Sequence, residues 1–187
     1  MREKTAKEIY NNLGGKSPLL EETLSQQESL QKSLNQEIGK EYKVFTAMQC
    51  WEPSFRSVYS KVRAFNPDKI ITIPLYPQFS SVTTGASIDK IEKYFREYKD
   101  RITNICCYYD ESKFIESHLA LILTKNNIEN LKTGKYRILF SAHGLPQILI
   151  NRGDPYEFQI ESMVKRIVEK IDIRDLDWKI TYQSRVG

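Results

Sequence analysis

Short β-branched runs alternate with amphipathic stripes along most of this chain, and that alternation limits its folds more than any other feature. Tyr42 to Met48, Lys69 to Leu75, Arg101 to Tyr109, Tyr136 to Phe140 and Trp178 to Tyr182 read as strands. Between them lie helical stripes. One is Phe55, Val58, Tyr59, Val62 and Phe65; the next is Ile88, Ile91, Tyr94, Phe95 and Tyr98. Two more are Phe114, Ile115, His118, Leu119 and Ile122, and then Ile160, Met163, Val164, Ile167, Val168 and Ile171. Strands and helices in turn, with connections of this length, predict a Rossmann-like α/β lobe: a parallel sheet with helices on both faces.

The ends depart from this pattern. Such a lobe usually opens on a strand in mid-sheet. Here residues 1–12 read as a short helix, and Leu20, Leu24, Leu30, Leu34 and Ile38 mark a second one. Ser17 suits the N-cap of that second helix, with Pro18 at its first position. Gly14-Gly15-Lys16-Ser17 is not a phosphate loop, because that motif needs glycine where Tyr10 stands. The chain stops a few residues past its last strand. The expectation is a single lobe over residues 1–187, incomplete at both ends, with unpaired sheet edges.

With 40% hydrophobic residues and a net charge of +4, the composition is that of a soluble globular protein. The basic residues are scattered and form no run with interleaved aromatics, which argues against nucleic acid as a partner. No apolar stretch reaches membrane-spanning length, and Met1-Arg2-Glu3-Lys4 does not open a signal peptide. Peripheral contact with an inner membrane surface stays open. Cys50, Cys106 and Cys107 form no C-x-x-C pair and no zinc pattern. They read as free thiols in a reducing cytoplasm. On a strand through Tyr109, Cys106 and Cys107 would point to opposite faces.

Chemistry concentrates where strands end. Ser141-Ala142-His143-Gly144-Leu145-Pro146 puts an imidazole with small neighbours on a loop leaving a strand. Ligands of open α/β sheets collect at that edge. Met48 to Pro53 and Tyr76 to Gly85 should open on the same edge. Together these loops offer one imidazole, several aromatic rings and hydroxyls. They contain no G-x-S-x-G elbow, no H-E-x-x-H and no dinucleotide glycine fingerprint. That set suits a large, flat, apolar ligand better than a sugar or nucleotide. His118 lies inside a helical stripe and reads as a packing histidine. Asp154-Pro155-Tyr156-Glu157 reads as a capping box.

Several of these stretches together resemble the ferrochelatase family. Leu139-Phe140-Ser141-Ala142-His143-Gly144-Leu145-Pro146, continued by Asn151-Arg152-Gly153-Asp154-Pro155-Tyr156, is similar to the family's histidine motif. Leu75-Tyr76-Pro77-Gln78-Phe79-Ser80 with Thr83-Thr84-Gly85 resembles a second motif, and Tyr182-Gln183-Ser184-Arg185-Val186-Gly187 a third. Ile9-Tyr10 with Gly14-Gly15-Lys16-Ser17-Pro18 resembles a fourth.

The resemblance implies a two-lobed chelatase fold of which this chain holds most of the first lobe, with the second, glutamate-bearing lobe absent. It implies insertion of ferrous iron into a porphyrin, protoporphyrin IX or coproporphyrin III, in haem biosynthesis. His143 matches the active-site histidine, as proton acceptor, metal ligand or both. Arg2, Tyr10 and Ser17 match positions that contact the porphyrin. No built-in cofactor is implied, and iron enters as substrate. Ser81 stands where some members carry a cluster cysteine, so no iron–sulfur cluster is expected. Met48-Gln49-Cys50-Trp51 departs from the usual Met-Arg-Tyr-Trp, losing a charge and a phenol. Two other readings accompany this one: an inactive remnant that binds porphyrin weakly, and a chelatase for another metal or tetrapyrrole.

Overall fold

The computed structural model describes residues 11, 14–37, 41–134 and 136–184, which fall in two compact units, Met1–Asp68 and Lys69–Gly187. In the first unit, Ser17 Oγ accepts a hydrogen bond from the Leu19 N–H at 3.3 Å and opens helix α1 (Leu19–Glu37). Helix α2 (Phe55–Phe65) starts from Ser54, whose hydroxyl accepts from the Ser57 N–H. It ends at Asn66 in the left-handed conformation, where the Asn66 N–H returns to Val62 and Arg63 carbonyls. Phe55, Val58 and Val62 are its buried stripe.

The strand expected over Tyr42 to Met48 does not form. That segment has a single bridge, Met48 to Ser54. Two of its backbone groups go to Gln31 on α1 instead. Its amide donates to the Tyr42 carbonyl and accepts from the Val44 N–H, both at 2.7 Å. A side chain thus takes backbone groups that a neighbouring strand would have used.

In the second unit the strands are parallel, as expected, but they are short and paired in twos. β1 (Ile70–Thr72) pairs with β2 (Ile102–Asn104), and β3 (Ile138–His143) pairs with β4 (Trp178–Gln183). Between β1 and β2 run a wide turn over Ser81–Gly85, helix α3 (Ala86–Tyr94) and a tighter turn over Arg96–Arg101. α4 (Ser112–Ile122) and α5 (Lys125–Lys132) lead to β3. α6 (Gln147–Asn151) and α7 (Tyr156–Ile171) lead to β4. α5 has no counterpart in the sequence-based pattern; Ile128 and Leu131 are its only apolar residues.

The core of this unit is a layer of helices on one face of the β3–β4 pair. Ile115 of α4 and Ile167 and Ile171 of α7 are buried together, with Ile138 and Phe140 of β3 packed against them. Alternation along β3 then decides its other face. Leu139, Ser141 and His143 all turn to the exposed side. Leu139 is 59% exposed, and Ile71, Ile73 and Leu75 on and after β1 are exposed as well. Helices on both faces are therefore not seen for β3 among the described residues. One face is packed, and the other is open and carries His143.

β2 ends at Asn104, well short of Tyr109, and this overturns the expectation for the cysteines. Cys106 Sγ and Cys107 Sγ lie 3.0 Å apart rather than on opposite faces.

Ile167 is fully buried against both α4 and β3. Ile167→Ala should lower unfolding free energy by about 2–5 kcal/mol, read from the midpoint of urea denaturation at unchanged slope.

Candidate active site

His143 is the last residue of β3, held in register against Gln183 of β4. The next residue stays tied to the ladder, because the Gly144 N–H donates to the Gln183 carbonyl at 2.8 Å. The His143 ring is exposed, and its Nδ1 sits 2.8 Å from the Gly144 carbonyl. A carbonyl can only accept, so Nδ1 carries the proton in this contact. In the neutral ring Nε2 then keeps its lone pair, free to take a proton or bind a metal. An open hollow of about 510 Å³ begins at the following residue. It is lined by Gly144, Leu145, Pro146, Gln147 and Ile148, with Tyr182 of β4 and Ser184 just after it.

The loop after His143 is fastened to the loop after β1 by one carboxylate. α6 ends in a turn at Gly153, where φ of +93° requires glycine and sends the chain into Asp154. Asp154 Oδ2 accepts from the Ser80 hydroxyl at 2.9 Å, the Ser81 N–H at 2.9 Å and the Ser81 hydroxyl at 2.8 Å. Its Oδ1 accepts from the Tyr156 N–H at 3.1 Å. Burial alone would raise the Asp154 pKa, but the bonds from Ser81, Ser80 and Tyr156 outweigh it and hold the carboxyl below its ordinary value. The N-terminus of α7 also favours the negative charge.

A second clamp sits one turn along α7. Gln159 is buried, and its Oε1 accepts from the Phe79 N–H at 2.7 Å. The clamped turn buries Ser80 and Thr84 completely, and the Thr84 hydroxyl has no partner among the described residues.

Tyr156 joins α7 to the histidine itself. Burial pushes its phenol pKa up, while a hydrogen bond with the His143 backbone works against that rise. Tyr182 is pushed up as well, by burial first and then by the negative charges of Glu157 and Glu161. The capping box is thus half formed. Asp154 caps the helix start, but its own N–H goes to the Leu149 carbonyl at 3.1 Å rather than to Glu157.

Of the residues singled out in the sequence, His143 was expected on the loop leaving a strand; β3 instead runs on through it, and it is the strand's last residue at the open edge. Arg2 and Tyr10 lie outside the described residues. So do residues 1–10 and 12 of the first expected helix and Arg185-Val186-Gly187 of the third motif. Ser17 is exposed and caps α1. Cys50 and Trp51 are exposed, and Glu52, whose carboxylate takes hydrogen bonds from Ser54 and Ser57, has a lowered pKa. His118 behaves as a packing residue: its Nδ1 lies 2.9 Å from the Phe114 carbonyl and its ring meets Phe114 edge-on at 4.6 Å. Asp154 was visible in the sequence only as a cap. Gln159 left a fainter signal, an amide four residues before Met163 on an inward stripe.

A family model described as ferrochelatase matches residues 1–187. The chain is 46% identical over 189 residues to a ferrochelatase of Pelagibacter ubique (strain HTCC1062), covering all of this chain and 54% of that protein. It is 46% identical over 186 residues to one from Rickettsia felis (strain ATCC VR-1525 / URRWXCal2), covering 53% of it. It is 45% identical over 188 residues to one from Wolbachia pipientis wMel. The chain belongs to the ferrochelatase family. It spans about half the length of these curated relatives. No helix among the described residues is long and apolar enough to cross a membrane.

Asp154 should matter for stability in a pH-dependent way. Its folded pKa is depressed, so the unfolded chain binds more protons at low pH. Its contribution is complete above the unfolded carboxylate value, about 3.9, and is lost as pH falls through the lowered folded value. Asp154→Ala leaves the buried Ser80 hydroxyl without its carboxylate. It should cost about 1.5–3 kcal/mol at neutral pH, and the difference from the parent should shrink on acidification. Urea titrations of both proteins between neutral and acid pH measure this.

Proposed function

We propose that these residues form the histidine-bearing part of a lyase that inserts ferrous iron into a porphyrin, protoporphyrin IX or coproporphyrin III, during haem biosynthesis. The observation that carries the proposal is the state of His143. Its ring is exposed at a strand end beside an open hollow, with Nδ1 occupied by the Gly144 carbonyl and Nε2 left to act.

Metallation exchanges two pyrrole protons for one ferrous ion. Nε2 of a neutral imidazole is suited to accept such a proton. It also suits ferrous iron as a ligand. On this proposal the carboxylate that completes the site comes from beyond the 187 residues. Arg2 pairs with a propionate, and Tyr10 and Ser17 contact the porphyrin, as the family resemblance implies. Iron is a substrate here and not a resident cofactor. Ser81 stands where some family members carry a cluster cysteine, so no cluster ligand is expected at that position. The three free thiols support a reducing, cytoplasmic setting.

The test is porphyrin metallation by the full-length protein under anaerobic conditions, followed in the absorption spectrum. His143→Ala should lower kcat by at least about 100-fold. Because the ring is exposed, the melting temperature should stay within a degree or two of the parent. Undiminished metallation by this variant would sink the proposal.

A further inference from the structure

The ladder between β1 and β2 breaks in an uneven way. The Ile105 N–H still reaches the Thr72 carbonyl at 2.9 Å, and pairing resumes where the Tyr108 N–H reaches the Pro77 carbonyl, also at 2.9 Å. Five residue steps on one side, 72 to 77, face three on the other, 105 to 108. The extra residues lie on the 72–77 side; residues 105–108 themselves lie past the end of β2, where strand alternation does not constrain them, so two adjacent side chains can lie on the same side. Cys106 and Cys107 do so, with their sulfurs 3.0 Å apart. Cys106 is exposed and Cys107 half-buried. The Gln159 amide lies 4.0 Å from Cys107 Sγ. Burial, then the shared contact with Cys106, push the Cys107 thiol up to about 11.

Two thiols this close form a chelating pair, and the geometry selects among soft ions. Monovalent copper in two-coordination wants its sulfurs on opposite sides, which touching sulfurs cannot supply. Zinc wants four ligands, and no group of three or more His, Cys, Asp or Glu able to hold a metal occurs among the described residues. A trivalent arsenic centre is pyramidal and takes its sulfurs on neighbouring corners. It condenses with thiols, so a protonated Cys107 is no obstacle.

We propose that Cys106 and Cys107 form a dithiol site for trivalent arsenicals. For an organoarsenic oxide the step balances without redox change. Two S–H bonds and the arsenic–oxygen double bond break, two arsenic–sulfur bonds form, and one water leaves with both thiol protons. Arsenic stays trivalent. The second bond is intramolecular, so the pair should outcompete single thiols by about 100-fold or more.

The probe is phenylarsine oxide, added to the full-length protein in excess monothiol and followed by intact and peptide mass. One phenylarsenic group per chain should be retained on the peptide carrying Cys106 and Cys107, and a small dithiol should release it. Cys106→Ser and Cys107→Ser should each weaken retention by about 100-fold or more, whereas Cys50→Ser should not change it. Should Cys107→Ser fold poorly, Cys106→Ser decides alone, since that side chain is exposed. Retention by Cys106→Ser equal to the parent overturns the proposal, as does arsenic mapped to Cys50.

Discussion

One carboxylate holds the open edge of this unit together. Parallel strands deliver their loops to the same edge, but nothing in the ladder ties one loop to the next. Asp154 does so, with three bonds to Ser80 and Ser81 and a fourth to the start of α7. Its charge is sustained by those donors and by the helix end. Gln159 repeats the link one turn later through Phe79. The loop after β1 and the loop after His143 are therefore placed by the same short stretch of α7, and a shift there would move both.

α7 serves the core and the edge with different parts of its length. Ile167 and Ile171 lie at its far end and pack against Ile115 of α4. Tyr156 and Gln159 lie at its near end and face the loops. Packing on one face of β3 fixes the helix, and the helix fixes the surroundings of a histidine that β3 carries on its other face. The open face follows from strand alternation, since the packing of Ile138 and Phe140 leaves Leu139, Ser141 and His143 outward.

Much of this was legible in the sequence where local pattern suffices. The stripes of α2, α4 and α7 and the positions of β3 and β4 follow from periodicity, and His143 at a strand end follows from the order of residues around it. Tyr42 to Met48 was misread because a strand needs a neighbour. Its backbone groups found the Gln31 side chain instead. Cys106 and Cys107 were misread because alternation was carried past Asn104, where the ladder slips. Asp154 shows the deeper limit. Its capping oxygen is a local fact, readable from Pro155 beside it. Its other oxygen reaches Ser80, 74 positions away, and no local pattern encodes that.

Backbone geometry sets which donor atoms the two strand pairs present at their ends. His143 extends a regular ladder, which pins one ring nitrogen on a carbonyl and leaves the other as a single directed donor. A lone imidazole suits borderline metals such as ferrous iron and needs further ligands to hold them. The cysteines occupy a break in the other ladder, and the break turns two sulfurs to one side. A regular strand at 105–108 would have separated those thiols, and a bulge at the end of β3 would have re-aimed the histidine. Whether each strand pair continues or slips at its carboxyl end thus decides how its loop presents donor atoms.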